Sequence, residues 1–243
     1  GCTASKDIAH FTDVSTTAWY YSELSTAAQM NIFNGYGDGT MGPNRSITRQ
    51  EAMVVIARAF AVPDGTAADI QAFRDASSVG SWAVAKVGGL VKAGIVNGDN
   101  GSLHPTASIT RAEIAQMLYN LGLQFCSDAA ALPASGRVIY TGAAPLTADA
   151  FTGTLYLGGP AGRDLGGMNI TGTLVVRTDP NGTVTVGGTV DTLAVAAEDT
   201  TVAGTGHAGL VRLLARGCTV TLAADKTASE YDPMLRGVGK VVT

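Results

Sequence analysis

A five-residue pattern occurs twice in this chain, as Ile47-Thr48-Arg49-Gln50-Glu51 and, 62 residues later, as Ile109-Thr110-Arg111-Ala112-Glu113. Each copy closes a Gly-rich turn and opens a stretch whose apolar residues have helical spacing. Thr is a strong N-cap, and a Glu three positions on reaches back to the cap's own N–H. Thr48 with Glu51 and Thr110 with Glu113 therefore read as reciprocal capping boxes. The Arg is not explained that way. It stands at the first helical position, where the helix dipole disfavours a cation by up to about 1 kcal/mol. A cation set twice against the dipole implies an acidic neighbour or an anionic ligand.

The duplication extends well beyond the pattern. Phe11-Thr12-Asp13 is answered by Phe73-Arg74-Asp75, Trp19 by Trp82, Asn34-Gly35 by Asn97-Gly98 and Pro43 by Pro105, all at an offset of 62 to 63 residues. Between these markers run helical apolar sets: Leu24, Ala27, Ala28; Ala52, Val55, Ile56, Ala59; Val84, Val87, Leu90, Val91; and Ile114, Met117, Leu118, Leu121. This is an internal repeat of two helix–loop–helix units.

The order Phe-x-Asp, Trp, Gly-rich turn, Gly-x-x-x-Pro, Ile-Thr-Arg-x-Glu resembles the S-layer homology (SLH) repeat of bacterial cell-surface proteins. The resemblance covers residues 9–122, as repeats at about 9–62 and 71–122. It implies non-covalent attachment to a secondary cell-wall polysaccharide that commonly bears pyruvylated, anionic sugars. The Arg of such a motif lines a groove between repeats, so the resemblance implies that Arg49 and Arg111 contact the sugar. Asp13, Asp75, Trp19 and Trp82 then stand as groove or supporting residues. The family commonly closes three repeats into a pseudo-threefold bundle, and two are found here. Self-association that completes a third prong is therefore an expected partner interaction.

Read on the residues alone, each site has a plainer alternative. Arg49 and Arg111 could be structural ion pairs to Asp13 or Asp75, and an Arg so oriented still offers its outer N–H groups to a carboxylate. Trp19 and Trp82 have apolar neighbours at helical spacing, which favours core packing; exposed, they would be platforms for sugar rings. The loops at Asp38 and Asp99 lack the spacing of a calcium loop and read as turns. No metal or other cofactor is implied.

Past Cys126 the pattern changes. Residues 123–135 are Ala/Ser/Pro-rich and read as a linker. Short alternating strands follow at Gly153-Thr-Leu-Tyr-Leu157, Gly172-Thr-Leu-Val-Val176, Asp191-Thr-Leu-Ala-Val195 and Gly209-Leu-Val-Arg-Leu213, spaced by 19, 19 and 18 residues. A second series, centred on Val184, Val202 and Val220, is spaced by 18. Two interleaved series with one period indicate a β-solenoid, each turn laying its strands on those before. The reading is four to five coils over 136–225 and a cap or closing strand over 226–243 (Tyr231-Asp232-Pro233, then Val238 to Val242). The whole is α+β in two domains, a helical repeat domain and a small parallel β-helix at 136–243.

Composition narrows the function. Of 243 residues 46% are apolar and 15% charged, with a net charge of −4 and no Lys/Arg run, which argues against nucleic acid. No apolar run approaches the ~18 residues that cross a bilayer. Cys2, Cys126 and Cys218 show no zinc spacing. Cys126 and Cys218 read as small buried thiols, and Cys2 as a candidate acylation site of a lipoprotein. Gly204-Thr-Gly-His-Ala-Gly209 matches a dinucleotide-binding pattern, but a strand-like run follows it where a helix is required. The expectation is a non-enzymatic protein of the bacterial cell surface or wall. The alternatives are an assembly module, or a β-helix enzyme acting on carbohydrate through turn carboxylates such as Asp179 and Asp199.

Overall fold

The computed structural model describes residues 4–229 and 240–241. Its first half holds five α-helices: α1 (Tyr21–Gln29), α2 (Arg49–Ala59), α3 (Ala67–Ile70), α4 (Val84–Lys92) and α5 (Arg111–Asn120). The repeat starts earlier than its motifs suggest. Asp7-Ile8 and Asp69-Ile70 occupy equivalent places, and the two Ile side chains are 0% and 2% exposed. Met53, Val54, Ile56 and Ala57 of α2 form one core with Val87 and Leu90 of α4, Leu103, and Met117 and Leu121 at the end of α5. Each fully buried Leu or Met stabilises by about 1.5–3 kcal/mol. A close approach fixes α4 against the chain before it: a Cβ on Gly89 would stand 2.2 Å from the Pro63 carbonyl oxygen. In repeat 1, α1 is tied to the chain before it by Ser25, whose buried hydroxyl donates to the Lys6 carbonyl.

The second half is an in-register parallel solenoid with two sheets. One sheet stacks β1 (Leu123–Cys126), β2 (Ser135–Tyr140), β3 (Ala150–Gly159), β5 (Asn169–Thr178), β7 (Thr189–Val195), β9 (His207–Leu213) and β11 (Ala223–Ser229) in that order. The other stacks β4 (Arg163–Asp164), β6 (Thr183–Thr185), β8 (Thr201–Ala203), β10 (Thr219–Val220) and β12 (Lys240–Val241). Val138, Leu155, Leu174, Leu193 and Val211 align strand on strand, point inward, and are all 0% exposed. Val184, Val202 and Val220 face them from the second sheet. Gly136, Gly153 and Gly172 form a column with φ of 119°, 123° and 129°. A Cβ on Gly153 or Gly172 would lie 2.2 Å from the carbonyl oxygen of the glycine before it, so the column excludes side chains.

Four expectations are corrected here. Seven stacked strands define about six turns rather than four to five. The extra turn begins in the segment expected to be a linker: Leu123–Cys126 pairs in parallel with Arg137–Tyr140. Its alternation is only four residues long, and the Ala-rich stretch after it hid it. At the other end β11 continues to Ser229 inside the expected cap, and Lys240–Val241 adds a strand to β10. Tyr231-Asp232-Pro233 and Cys2 lie outside the described residues. Cys126 is half-buried rather than buried, and Cys218 is buried.

The α+β expectation holds for the elements, and the two halves also share a core. The outward row Ile139, Tyr156, Val175 and Ala194 of the first sheet is covered by Phe60 and Ala61, with Leu123 of β1 packed beside them. Phe60 meets Tyr156 edge-on at 6.1 Å. Arg177 of β5 donates to the Met30 carbonyl at 3.0 Å and to the Arg58 carbonyl, and Arg212 of β9 donates to Ala61 O at 3.2 Å. Solenoid cations thus sit on the C-terminal ends of α1 and α2, where the helix dipole favours positive charge. Glu198 accepts from Gln29 and Asn31 beside them.

Candidate functional site

Both capping boxes form. Thr48 accepts from the Glu51 N–H while Glu51 accepts from the Thr48 N–H at 2.6 Å, and Thr110 and Glu113 repeat the exchange. These locate the two Arg side chains at equivalent points of α2 and α5, where their surroundings diverge.

At α2, repeat 2 closes over the helix start. Arg49 and Gln50 N–H groups donate to the carbonyls of Ala107 and Pro105, each at 2.9 Å, and Ile109 N–H donates to Ile47 O. Thr48 and Ser108 form an antiparallel bridge. The Arg49 side chain is 8% exposed; its Nε donates to Leu103 O and its Nη1 meets Glu113 Oε1, both at 2.9 Å. Its acid is therefore the cap of the other repeat, not Asp13 or Asp75. A capping Glu spends one oxygen on the cap, and the second remains for a cation, a use that the motif alone does not reveal. Thr110's N–H and hydroxyl, then Arg49, hold the Glu113 carboxyl below its ordinary value.

Asp75 belongs to the same junction through Leu103. Its two oxygens accept from the Leu103 and His104 N–H groups, each at 2.8 Å, and Leu103's carbonyl is the one Arg49 binds. Burial works against this carboxylate, but the two N–H donors keep its pKa low. Asp13 does the same in repeat 1, accepting from Met41 and Gly42, and the Met41 N–H chiefly lowers its pKa. Gln50 Oε1 accepts from the Gly80 N–H at 2.9 Å, which fixes the turn carrying Trp82. The Trp82 ring lies against Gly80 and is 56% exposed. Trp19 is 89% exposed. Core packing, expected for both, is corrected: the apolar spacing was met by neighbours, and each indole lies in the turn before its helix.

The structure thus brings Arg49, Asp75 and Glu113 together at one junction, with Gln50 and the Leu103 carbonyl, which no sequence signal marked, and Trp82 is tied to it through the Gln50–Gly80 hydrogen bond. Arg49 Nη2 has no hydrogen-bond partner among the described residues, so the braced guanidinium retains a donor for an outside acceptor. Asp13, Trp19 and Glu51 lie in repeat 1, outside that junction. There Arg45 stacks on the Tyr36 ring at 4.2 Å. Arg111 is exposed, and neither its guanidinium nor the Arg111 and Ala112 N–H groups have a partner among the described residues.

The other motifs resolve into turns. Asp38 accepts from the Thr40 N–H and hydroxyl. Gly204 has φ of 134° at a solenoid corner, where a Cβ would stand 2.2 Å from Val186 O, and β9 follows at His207. Asp179 accepts from the Ala4 N–H, and Asp199 sits in a turn at φ of 50°. No described helix is long and apolar enough to cross a membrane.

Comparison with known proteins matches this half of the chain. Residues 10–53 and 72–115 match the family model of the S-layer homology domain. The chain is similar to the surface-layer 125 kDa protein of Lysinibacillus sphaericus, 35% identical over 111 residues, which are 44% of this chain and 9% of that protein. S-layer protein EA1 of Bacillus anthracis is 32% identical over 115 residues, 46% of this chain and 13% of EA1. An amylopullulanase of Thermoanaerobacterium thermosulfurigenes is 32% identical over 110 residues, 44% of this chain and 6% of the enzyme. The chain matches only about a tenth of the length of these relatives, and surface-layer proteins and an amylopullulanase alike carry the match.

Proposed function

We propose that this is a non-catalytic cell-surface protein whose helical repeats, 9–62 and 71–122, anchor it to the wall by binding an anionic secondary polysaccharide, and that the solenoid beginning at Leu123 is displayed from them. Similarity to two surface-layer proteins supports the location. The observation that carries the binding is the junction itself. A half-exposed indole stands on a turn that Gln50 of α2 fixes, and the residue before Gln50 is Arg49, a buried guanidinium with a donor to spare. An aromatic face stacks on a sugar ring, and an oriented guanidinium binds a carboxylate such as that of a pyruvyl acetal. Both come already ordered, so little conformational entropy is lost on binding. The shared core between the halves would hold the solenoid at a fixed attitude to the wall.

Co-sedimentation with purified wall fragments tests this. Pelleting with intact fragments, and none once the anionic polymer is stripped, is the expected result; equal pelleting with both contradicts it.

A second reading, self-association, is favoured by one observation: among the described residues nothing covers on α5 the face that α2 buries.

A further inference from the structure

Helices α2 and α5 hold equivalent places 62 residues apart, and α2 shows what such a helix carries when covered. Arg49, Met53 and Ala57 are 7%, 0% and 1% exposed, whereas their counterparts Arg111 and Ala115 are exposed and Tyr119 is 80% exposed. Leu118 is 45% exposed where Ile56 is 7%. The cover on α2 is repeat 2: the 105–109 loop on the helix start, Glu113 on the guanidinium, and Val87 and Leu90 of α4 in the shared core. Nothing equivalent lies over α5 among the described residues.

The matching surface is open in repeat 1 among the described residues. Leu24 and Ala27 of α1 occupy the places of Val87 and Leu90, yet they are only half-buried. Pro43 and Arg45 occupy the places of Pro105 and Ala107, and their carbonyls accept no backbone hydrogen bond among the described residues. Glu51 caps α2 as Glu113 caps α5, but no arginine among the described residues pairs with it as Arg49 pairs with Glu113. One end thus offers an unpaired cation and two free N–H groups, and the other offers an anion and two free carbonyls.

We propose that two copies of this chain join head to tail, with α5 and Arg111 of one copy seated on α1, the 43–47 loop and Glu51 of the next. This rests on the self-association reading and names its surfaces. The surfaces differ, so the contact is heterologous and can propagate. It also makes a second groove, since Arg111 then stands to the partner copy's repeat 1 as Arg49 stands to repeat 2, with Asp13 and Trp19 in the places of Asp75 and Trp82.

Sedimentation equilibrium of the full chain in polymer-free buffer, up to about 1 mM, tests the contact. The mass should rise above 24.7 kDa with concentration. Arg111→Glu and Glu51→Arg should each hold the chain at monomer mass. An equimolar mixture of the two should recover association, because the reversed charges then face each other across the contact. Glu51 also caps α2, so Leu118→Lys on the exposed face serves as an independent variant; it should abolish association with an unchanged melting temperature. A strict monomer overturns the inference and the self-association reading together. Association undiminished in Arg111→Glu and Leu118→Lys overturns the head-to-tail contact alone. Wall binding is not read in this experiment, so the groove is tested separately.

Discussion

Repeats 1 and 2 carry the same Thr-Arg-x-Glu motif and the same capping box, and their two arginines lead opposite lives. Arg49 is buried and held by two groups from repeat 2, whereas Arg111 stands in solvent. The motif sets the helix start; the next segment of the chain sets the fate of its cation. After repeat 1 comes another repeat, which brings a loop, a carboxylate and α4. After repeat 2 comes β1, which turns the chain into the solenoid.

The difference can be broken in a graded way. The largest effect should come from the core under α2. Met53→Ala should lose about 2–5 kcal/mol of unfolding free energy, whereas Leu118→Ala on α5 should change it by less than about 1 kcal/mol. Denaturant titration reads both, and a similar loss in each would mean that α5 is covered after all. Arg49→Ala comes next, at about 1–3 kcal/mol, because it leaves the Leu103 carbonyl without a donor and Glu113 without its cation. Arg111→Ala should stay within about 0.5 kcal/mol. The caps should erase the difference: Thr48→Ala and Thr110→Ala should each cost about 1 kcal/mol, since both boxes are local.

The smallest effect is in acid. Glu113 has a folded pKa below its ordinary 4.5. Its contribution is therefore complete above about pH 4.5 and is lost as pH falls through the lowered folded value. Melting temperature should drop across that window, and Glu113→Gln should flatten the drop. An unchanged slope in the variant would show that the Arg49 brace does not depend on the charge.

The sequence made some of this legible and hid the rest for physical reasons. The solenoid could be read because each turn repeats the last, so Leu155, Leu174 and Leu193 announce one column. Its first turn could not, because Leu123–Cys126 is a single short strand whose stacking partner lies beyond an Ala-rich stretch. Thr48, Glu51, Thr110 and Glu113 were legible because capping is local. The partner of Arg49 was not, because it is set by how two repeats dock, and Glu113 already had a role. Trp19 and Trp82 show the same limit: helical spacing marks a face as apolar without saying that a residue in the preceding turn lies on it.

The central claim is that the closed junction, not the motif by itself, makes the binding site. Trp82 and Trp19 are the cleanest pair for it, both exposed and both equivalent in sequence, with only Trp82 on a turn held by the helix start that carries the braced arginine. Titration of the isolated anionic polymer with dilute, monomeric protein should show Trp82→Ala weakened at least about tenfold, equal to about 1.4 kcal/mol, and Trp19→Ala close to the parent chain. Equal losses in the two variants, or none in Trp82→Ala, would contradict the account.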